Sequence, residues 1–188
     1  MAWSEMLKMN YPNDELIPEL DKDITRLKTI VERFSQIGSK AELEVANVSE
    51  VISEVLNYMR NRISKQVTIK ADLPNEAFVM LNIPLFEWVV ENLCKNAVDA
   101  MEGRGTLTIE MSETSSAVVV DITDTGRGIS KSNISKVFNM GFTTKKRGWG
   151  LGLSLSKRII KEYHGGRIYV KHSQIDKGTT FCIELKKK

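Results

Sequence analysis

Residues 117–129, AVVVDITDTGRGI, decide how the rest of the chain is read. Ala117 to Ile122 are rich in β-branched side chains and read as a strand. The strand runs into Asp124, and Gly126 and Gly128 follow two and four residues later. A strand that ends this way sets a carboxylate at a sheet edge and lets the backbone turn tightly beside it. Such a carboxylate can accept a hydrogen bond from an exocyclic amine such as N6 of adenine. A lone DxGxG is at least as often a plain turn with a side-chain cap, so its neighbours must decide.

Downstream lies GFTTKKRGWGLGLSLSKRII, residues 141–160. Gly148, Gly150 and Gly152 lead into a helix whose free amides and positive dipole end face whatever precedes Leu151. Lys145, Lys146 and Arg147 stand just before them, which makes the segment a candidate phosphate cradle. No GKS or GKT follows, so this is no Walker loop, and the strand-first context of a dinucleotide fingerprint is missing. Upstream lies ENLCKNAVDAM, residues 91–101. Asn92 and Asn96 are one helical turn apart, and a carboxamide oxygen is a neutral hard ligand suited to magnesium. An isolated asparagine pair on a helix would ordinarily be solvated or capping.

The remaining pattern is mixed. Val48, Val51, Ile52, Val55, Leu56 and Met59 mark an amphipathic helix. Val67–Leu73 and Ala77–Leu81 read as strands around an Asn-containing turn, and Pro84 starts a helix running to about Met101. Strands at Thr106–Ser112 and Ala117–Ile122 follow, then a helix from about Leu151 to Tyr163 and strands at Arg167–His172 and Thr179–Leu185. This order predicts a two-layer α/β sandwich. Ser130 to Arg147 offers few anchoring residues and reads as a mobile lid.

The first residues differ in character. Leu20, Ile24, Leu27, Val31 and Phe34 form the seam of a helix in a coiled coil or bundle, and Gly38 offers a stop. Met1 to Met9 read as the end of a preceding helix. The chain therefore divides into a partial helical hairpin, residues 1–39, and a larger domain, residues 40–188.

Composition narrows the class further. With 27 basic against 24 acidic side chains, the formal charge of +3 gives no reason to expect a nucleic-acid partner. Lys186, Lys187 and Lys188 read as a solvated tail. Cys94 and Cys182 lack metal-ligand spacing and read as buried free thiols of a reducing compartment. No apolar run reaches the ~20 residues needed to cross a bilayer. A cytoplasmic location is expected for this segment, and a membrane-anchored parent stays open.

Taken in order, the Asn-bearing helix, DxGxG, the glycine-rich basic lid and Gly178-Thr179-Thr180 resemble the GHKL ATPases. This is the Bergerat ATP-binding fold shared by gyrase-type topoisomerases, a heat-shock chaperone, MutL-type mismatch-repair proteins and histidine kinases. The resemblance spans about Asn47 to Leu185 and is most detailed toward histidine kinases. It implies that Asn92 and Asn96 form the N box, with Asn96 holding Mg2+ on the ATP phosphates, Asn92 as a further candidate ligand. It implies that Asp124 reads adenine, that Gly126 and Gly128 shape the turn admitting the base, and that Ile129 and Leu153 wall the pocket. Phe138 and Phe142 match the aromatic box before the lid. Gly148, Gly150, Leu151 and Gly152, with Lys145, Lys146 and Arg147, fall to the lid and phosphates, and Thr180 would support the Asp124 carboxylate. Trp149 departs from the small polar residue common there.

The same resemblance implies that residues 1–39 are the end of a dimerisation and phosphoacceptor hairpin lacking the H box, since His164 and His172 have no H-box flanks. The expected partners are ATP, the parent's own phosphoacceptor helices and the receiver domain of a response regulator, with a homodimer through the hairpin left open. The expected activity is transfer of the γ-phosphoryl of Mg-ATP to a histidine outside this segment, so no catalytic acceptor is expected within it. A non-catalytic nucleotide sensor, and a serine kinase or ATPase of the same fold, stay open as alternatives.

Overall fold

In the computed structural model, residues 42–60, 62–145 and 148–187 are described. The expected hairpin of residues 1–39, and Lys146 and Arg147 of the lid, lie outside them.

Strand β1 (Glu44–Asn47) leads directly into helix α1 (Val48–Arg60), and Asn47 explains the change of direction. Its Oδ1 accepts from the Ser49 and Ala77 amides, and its Nδ2 donates to the Glu50 carboxylate and the Asn75 carbonyl. One side chain thus caps α1 and draws in the segment leading to β3 (Phe78–Leu81), which pairs antiparallel with β1. Strand β2 (Val67–Asp72) does not pair with β3; it lies parallel to β4 (Gly105–Glu113). The two strands read around a common turn therefore belong to different sheets. The Asn47 clasp holds β3 on β1, and no hairpin closes across Pro74 and Asn75.

The main sheet has five strands in the order β2, β4, β5 (Ala117–Asp124), β7 (Gly178–Lys186), β6 (Arg167–Gln174), antiparallel throughout except for β2 with β4. Alternate side chains of β4, β5 and β7, from Leu107 and Ile109 through Val118, Val120 and Ile122 to Ile183 and Leu185, are almost completely buried. Their cover is the apolar face of helix α2 (Ile83–Ala100), which buries Phe86, Val89, Val90, Leu93 and Cys94. Cutting back one of these larger side chains to Ala should cost about 2–5 kcal/mol. This is the two-layer α/β arrangement read from the sequence.

Asn82 caps α2: its Oδ1 accepts from the Leu85 amide at 3.1 Å, and Pro84 fits the first turn, where no amide partner is needed. The Asn82 amide donates to Nε2 of His164 at 3.1 Å, and His164 Nδ1 donates to the Ile159 carbonyl, also at 3.1 Å. This fixes the Nδ1–H tautomer and gives His164 a framing role. Helix α4 (Gly152–Arg158) continues into a single π-helical turn, Ile159–Tyr163, so the helix read as continuous changes its winding where it meets His164. Two short elements escaped the periodicity, β1 and a one-turn helix α3 (Lys131–Ile134). Both thiols are buried and unpaired, with burial raising Cys94 to about 12 and Cys182 to about 11. Among the described residues no helix is long and apolar enough to cross a membrane.

Candidate functional site

The site is built where the end of β5 meets the second half of α2. Gly126 lies so close to α2 that a Cβ there would stand 2.5 Å from the Ala100 backbone. The Arg127 amide donates to the Ala100 carbonyl at 3.0 Å, and Thr125 Oγ1 accepts from the Thr106 amide at 3.0 Å. Glycine at 126 is thus the condition for this turn to seat on the helix. On the other side, a Cβ on Gly178 would fall 1.8 Å from the Asp124 carbonyl oxygen, so the start of β7 touches the same backbone.

Asp124 sits between these contacts, 3% exposed and on the helix-facing side of the sheet. Its Oδ1 accepts from the Gly126 amide at 2.8 Å. Burial raises its pKa above the ordinary carboxylate value, and the amides of Gly126 and Thr179 pull it back in part. A buried carboxylate at a strand end can accept from a donor on a planar heterocycle.

Strand register corrects one expectation. Asp124 stands opposite Thr179, whereas Thr180 stands opposite Thr123 and shares a 3.0 Å hydroxyl contact with it. Side chains alternate across a sheet, so Thr180 points to the face away from Asp124 and cannot support its carboxylate. Thr179, 3% exposed, is on the correct face. Its hydroxyl meets Ser173 Oγ at 2.9 Å, and Ser173 Oγ accepts the Ile129 amide at 2.8 Å. Thr179 and Ser173 thus steady the far arm of the DxGxG turn. Strict counting along β7 from Asp124's partner would have found Thr179; Ser173 carried no signal.

The α2 side chains divide their work. Asn92 Nδ2 donates to Ser156 Oγ at 3.0 Å, and Ser156 in turn donates to the Gly152 carbonyl at 3.0 Å. A Cβ on Gly152 would stand 2.5 Å from Asn92 Oδ1, so α4 begins pressed against the asparagine. Glu91 is paired with Lys95 at 2.6 Å, one position and about 100° round the helix from Asn92. Asn96 Oδ1 accepts the Lys145 ammonium at 2.8 Å, and Asp99 Oδ2 accepts it at 2.6 Å. The structure therefore joins Asn92 with Gly152, and Asn96 with Lys145.

The segment leading to the lid is better anchored than its polar sequence suggests. Val137 is buried, and Phe138 packs edge-on against Phe181 with centroids 6.2 Å apart. Arg127 donates to Thr144 Oγ1 at 2.9 Å, and the Gly141 amide reaches the Gly150 carbonyl at 3.1 Å, closing the lid's base. Gly148 and Trp149 are exposed; Gly150, Leu151, Leu153 and Ile129 are half-buried. No side chain caps α4 at Leu151, which leaves its first amides unclaimed by a cap.

A sequence profile described as histidine kinase-, DNA gyrase B-, and HSP90-like ATPase matches residues 82–188. The chain belongs to this ATPase family. Sensor histidine kinase ZraS of Salmonella typhi is 32% identical over 177 residues, covering 91% of this chain and 37% of that protein. The C4-dicarboxylate transport sensor protein DctB of Rhizobium meliloti is 32% identical over 179 residues, covering 93% of this chain and 28% of its own length. The chain thus spans well under half of these curated relatives. Among solved structures, the catalytic domain of histidine kinase ThkA matches at a TM-score of 0.68 and 28% identity, over 78% of this chain and 96% of that domain. ThkA in complex with response regulator TrrA matches at 0.73 and 25% identity, over 97% of this chain and 55% of that one. The fold and the ATP-binding character of the family are shared with histidine kinase catalytic domains.

Proposed function

We propose that this chain is the catalytic module of a sensor histidine kinase, transferring the γ-phosphoryl of Mg-ATP to a histidine on a phosphoacceptor helix. The carrying observation is the buried Asp124 carboxylate in a turn that Gly126 seats on α2, the helix that also bears Asn92 and Asn96. In this reading Asp124 accepts from adenine N6, Ile129 and Leu153 wall the base, and the α4 amides with Lys145, Lys146 and Arg147 meet the phosphates. Phosphoryl transfer depends on placement and charge neutralisation more than on covalent help from the protein. Bound Mg2+ would supply that neutralisation. The donor set suits it: Asn96 Oδ1 already faces a cation, the Lys145 ammonium, and Mg2+ commonly takes few protein ligands plus phosphates.

A general base for water has no support, because Asn92 is a neutral carboxamide engaged with Ser156 and Glu91 is held by Lys95. This favours transfer to a protein nucleophile over hydrolysis. His164 is not that nucleophile, because both ring nitrogens are engaged and burial depresses its pKa. The parent's phosphoacceptor helices and a response regulator receiver domain are the partners this function requires.

The test is incubation with γ-labelled Mg-ATP, alone and with a separate polypeptide carrying an H-box helical hairpin. The chain alone should stay unlabelled, and the supplied hairpin should gain an acid-labile, base-stable label slowly, since tethering is lost. Labelling of His164 or His172, or brisk phosphate release with no label on the hairpin, would contradict the proposal.

A further inference from the structure

Lys145 makes two contacts that its expected role on phosphate does not require. Its ammonium donates to Asn96 Oδ1 at 2.8 Å and to Asp99 Oδ2 at 2.6 Å, joining the lid to α2 across 49 and 46 residues of chain. One residue earlier, Thr144 Oγ1 receives Arg127 at 2.9 Å, so the lid is clasped at two consecutive positions. The Asn96 oxygen is the atom assigned above to the metal. An ammonium there and a Mg2+ at its usual ~2.1 Å from the same oxygen would lie within about 5 Å of each other, an unfavourable pairing of cations.

We propose that Lys145 is a resident cation on the N box, a latch that holds the lid on α2 and must leave Asn96 before Mg2+ can be seated there. This rests on the reading of Asn96 as the metal ligand. Asp99 is the latch's counter-charge and strengthens Lys145 in competition with the metal. The side chains of Lys145 and Asp99 are 36% and 56% exposed, so the pair is solvent-screened and readily opened. Once displaced, the ammonium is free to turn to the terminal phosphate. Lid release and metal loading are then linked reciprocally: whatever frees Lys145 favours the metal, and the metal-nucleotide complex frees the lid. ATP, with a γ-phosphate to receive the ammonium, should open the latch better than ADP.

The experiment is calorimetric titration of ADP and ATP across a series of Mg2+ concentrations, with hydrogen exchange over residues 141–145 measured without nucleotide. In Lys145→Met and Asp99→Asn the Mg2+ needed for half-maximal tightening of ADP should fall about three- to tenfold. Exchange at 141–145 should rise in both. ATP separates them, because Lys145→Met should also lose affinity for ATP over ADP whereas Asp99→Asn should keep it. If the wild-type chain binds Mg-ADP but neither variant lowers its Mg2+ requirement, the latch is wrong and the kinase reading stands. If exchange is unchanged in both variants, the lid is not held by this contact. A wild-type chain that binds neither nucleotide would overturn both.

Discussion

Asn92 donates to Ser156 across 3.0 Å, and the Ser156 hydroxyl donates in turn to the Gly152 carbonyl, so the middle of α2 is fastened to the first turn of α4. Ser156 is fully buried and Asn92 half-buried, so removing the hydroxyl takes away the Asn92 amide's partner on α4. Ser156→Ala should cost about 1–3 kcal/mol in denaturant unfolding. It should also weaken ATP severalfold by loosening the start of α4, which calorimetry on the folded variant can show. Unchanged stability and affinity would mean this link is dispensable.

The seat of the DxGxG turn predicts a larger effect. A Cβ at Gly126 meets the Ala100 backbone at 2.5 Å, and neither side is a flexible side chain that could give way. Gly126→Ala should destabilise by about 1–3 kcal/mol and displace Asp124, with adenine nucleotides losing most of their affinity. Gly165, where a Cβ would meet nothing within 4 Å but φ is +60°, is the control: Gly165→Asn, a residue that tolerates that backbone, should leave ATP binding intact.

The two threonines of GTTF are separable. Thr179→Val breaks the Ser173 and Ile129 chain behind Asp124, whereas Thr180→Val breaks a bond to Thr123 on the opposite face. Each loses one hydroxyl and about 1 kcal/mol of stability. Only Thr179→Val should weaken ATP, as read by titration of both variants under the same conditions.

His164 gives the frame a pH dependence. Burial lowers its pKa in the folded state, and the Ile159 carbonyl that accepts from Nδ1 offsets this in part. Below the ordinary imidazole value of about 6.5 the unfolded chain takes up a proton that the folded chain resists. Its contribution is therefore complete above about 6.5 and is lost as pH falls through the depressed folded value. His164→Gln, which can still accept from the Asn82 amide, should show a flatter decline of melting temperature from pH 7.5 to 5.5 than the wild type. Parallel curves would exclude His164 as the cause.

Much of this was legible in sequence, for physical reasons that can be named. Buried faces of α1, α2 and β5 repeat at helical or strand period, so Val48–Met59, the helix after Pro84 and Ala117–Ile122 stand out. Asp124 and Asn96 stand out in the sequence as polar residues that interrupt apolar periods. Pairing was less so: β2 and β3 part company through the side-chain bonds of Asn47, which no periodicity encodes. Thr180 is the residue the motif points to, yet Thr179 stands opposite Asp124, because a one-residue step reverses the face of a strand. The anchoring of the lid by Arg127 and Lys145 joins residues distant in sequence, and their charge alone suggested only solvent or phosphate.

The central claim is that Asp124 reads the exocyclic amine of adenine, and it is tested most directly by comparing Mg-ATP with Mg-ITP, which carries an oxygen in place of that amine. The account predicts at least about tenfold tighter binding of ATP by the wild-type chain, because ITP sets an acceptor against a buried carboxylate. It predicts that Asp124→Asn, whose side chain can both donate and accept, shrinks that ratio. Since burial raises the Asp124 pKa, the preference for ATP should fade on acidification at a pH above the ordinary carboxylate range. Equal affinities for ATP and ITP in the wild type, unchanged by Asp124→Asn, would contradict the account.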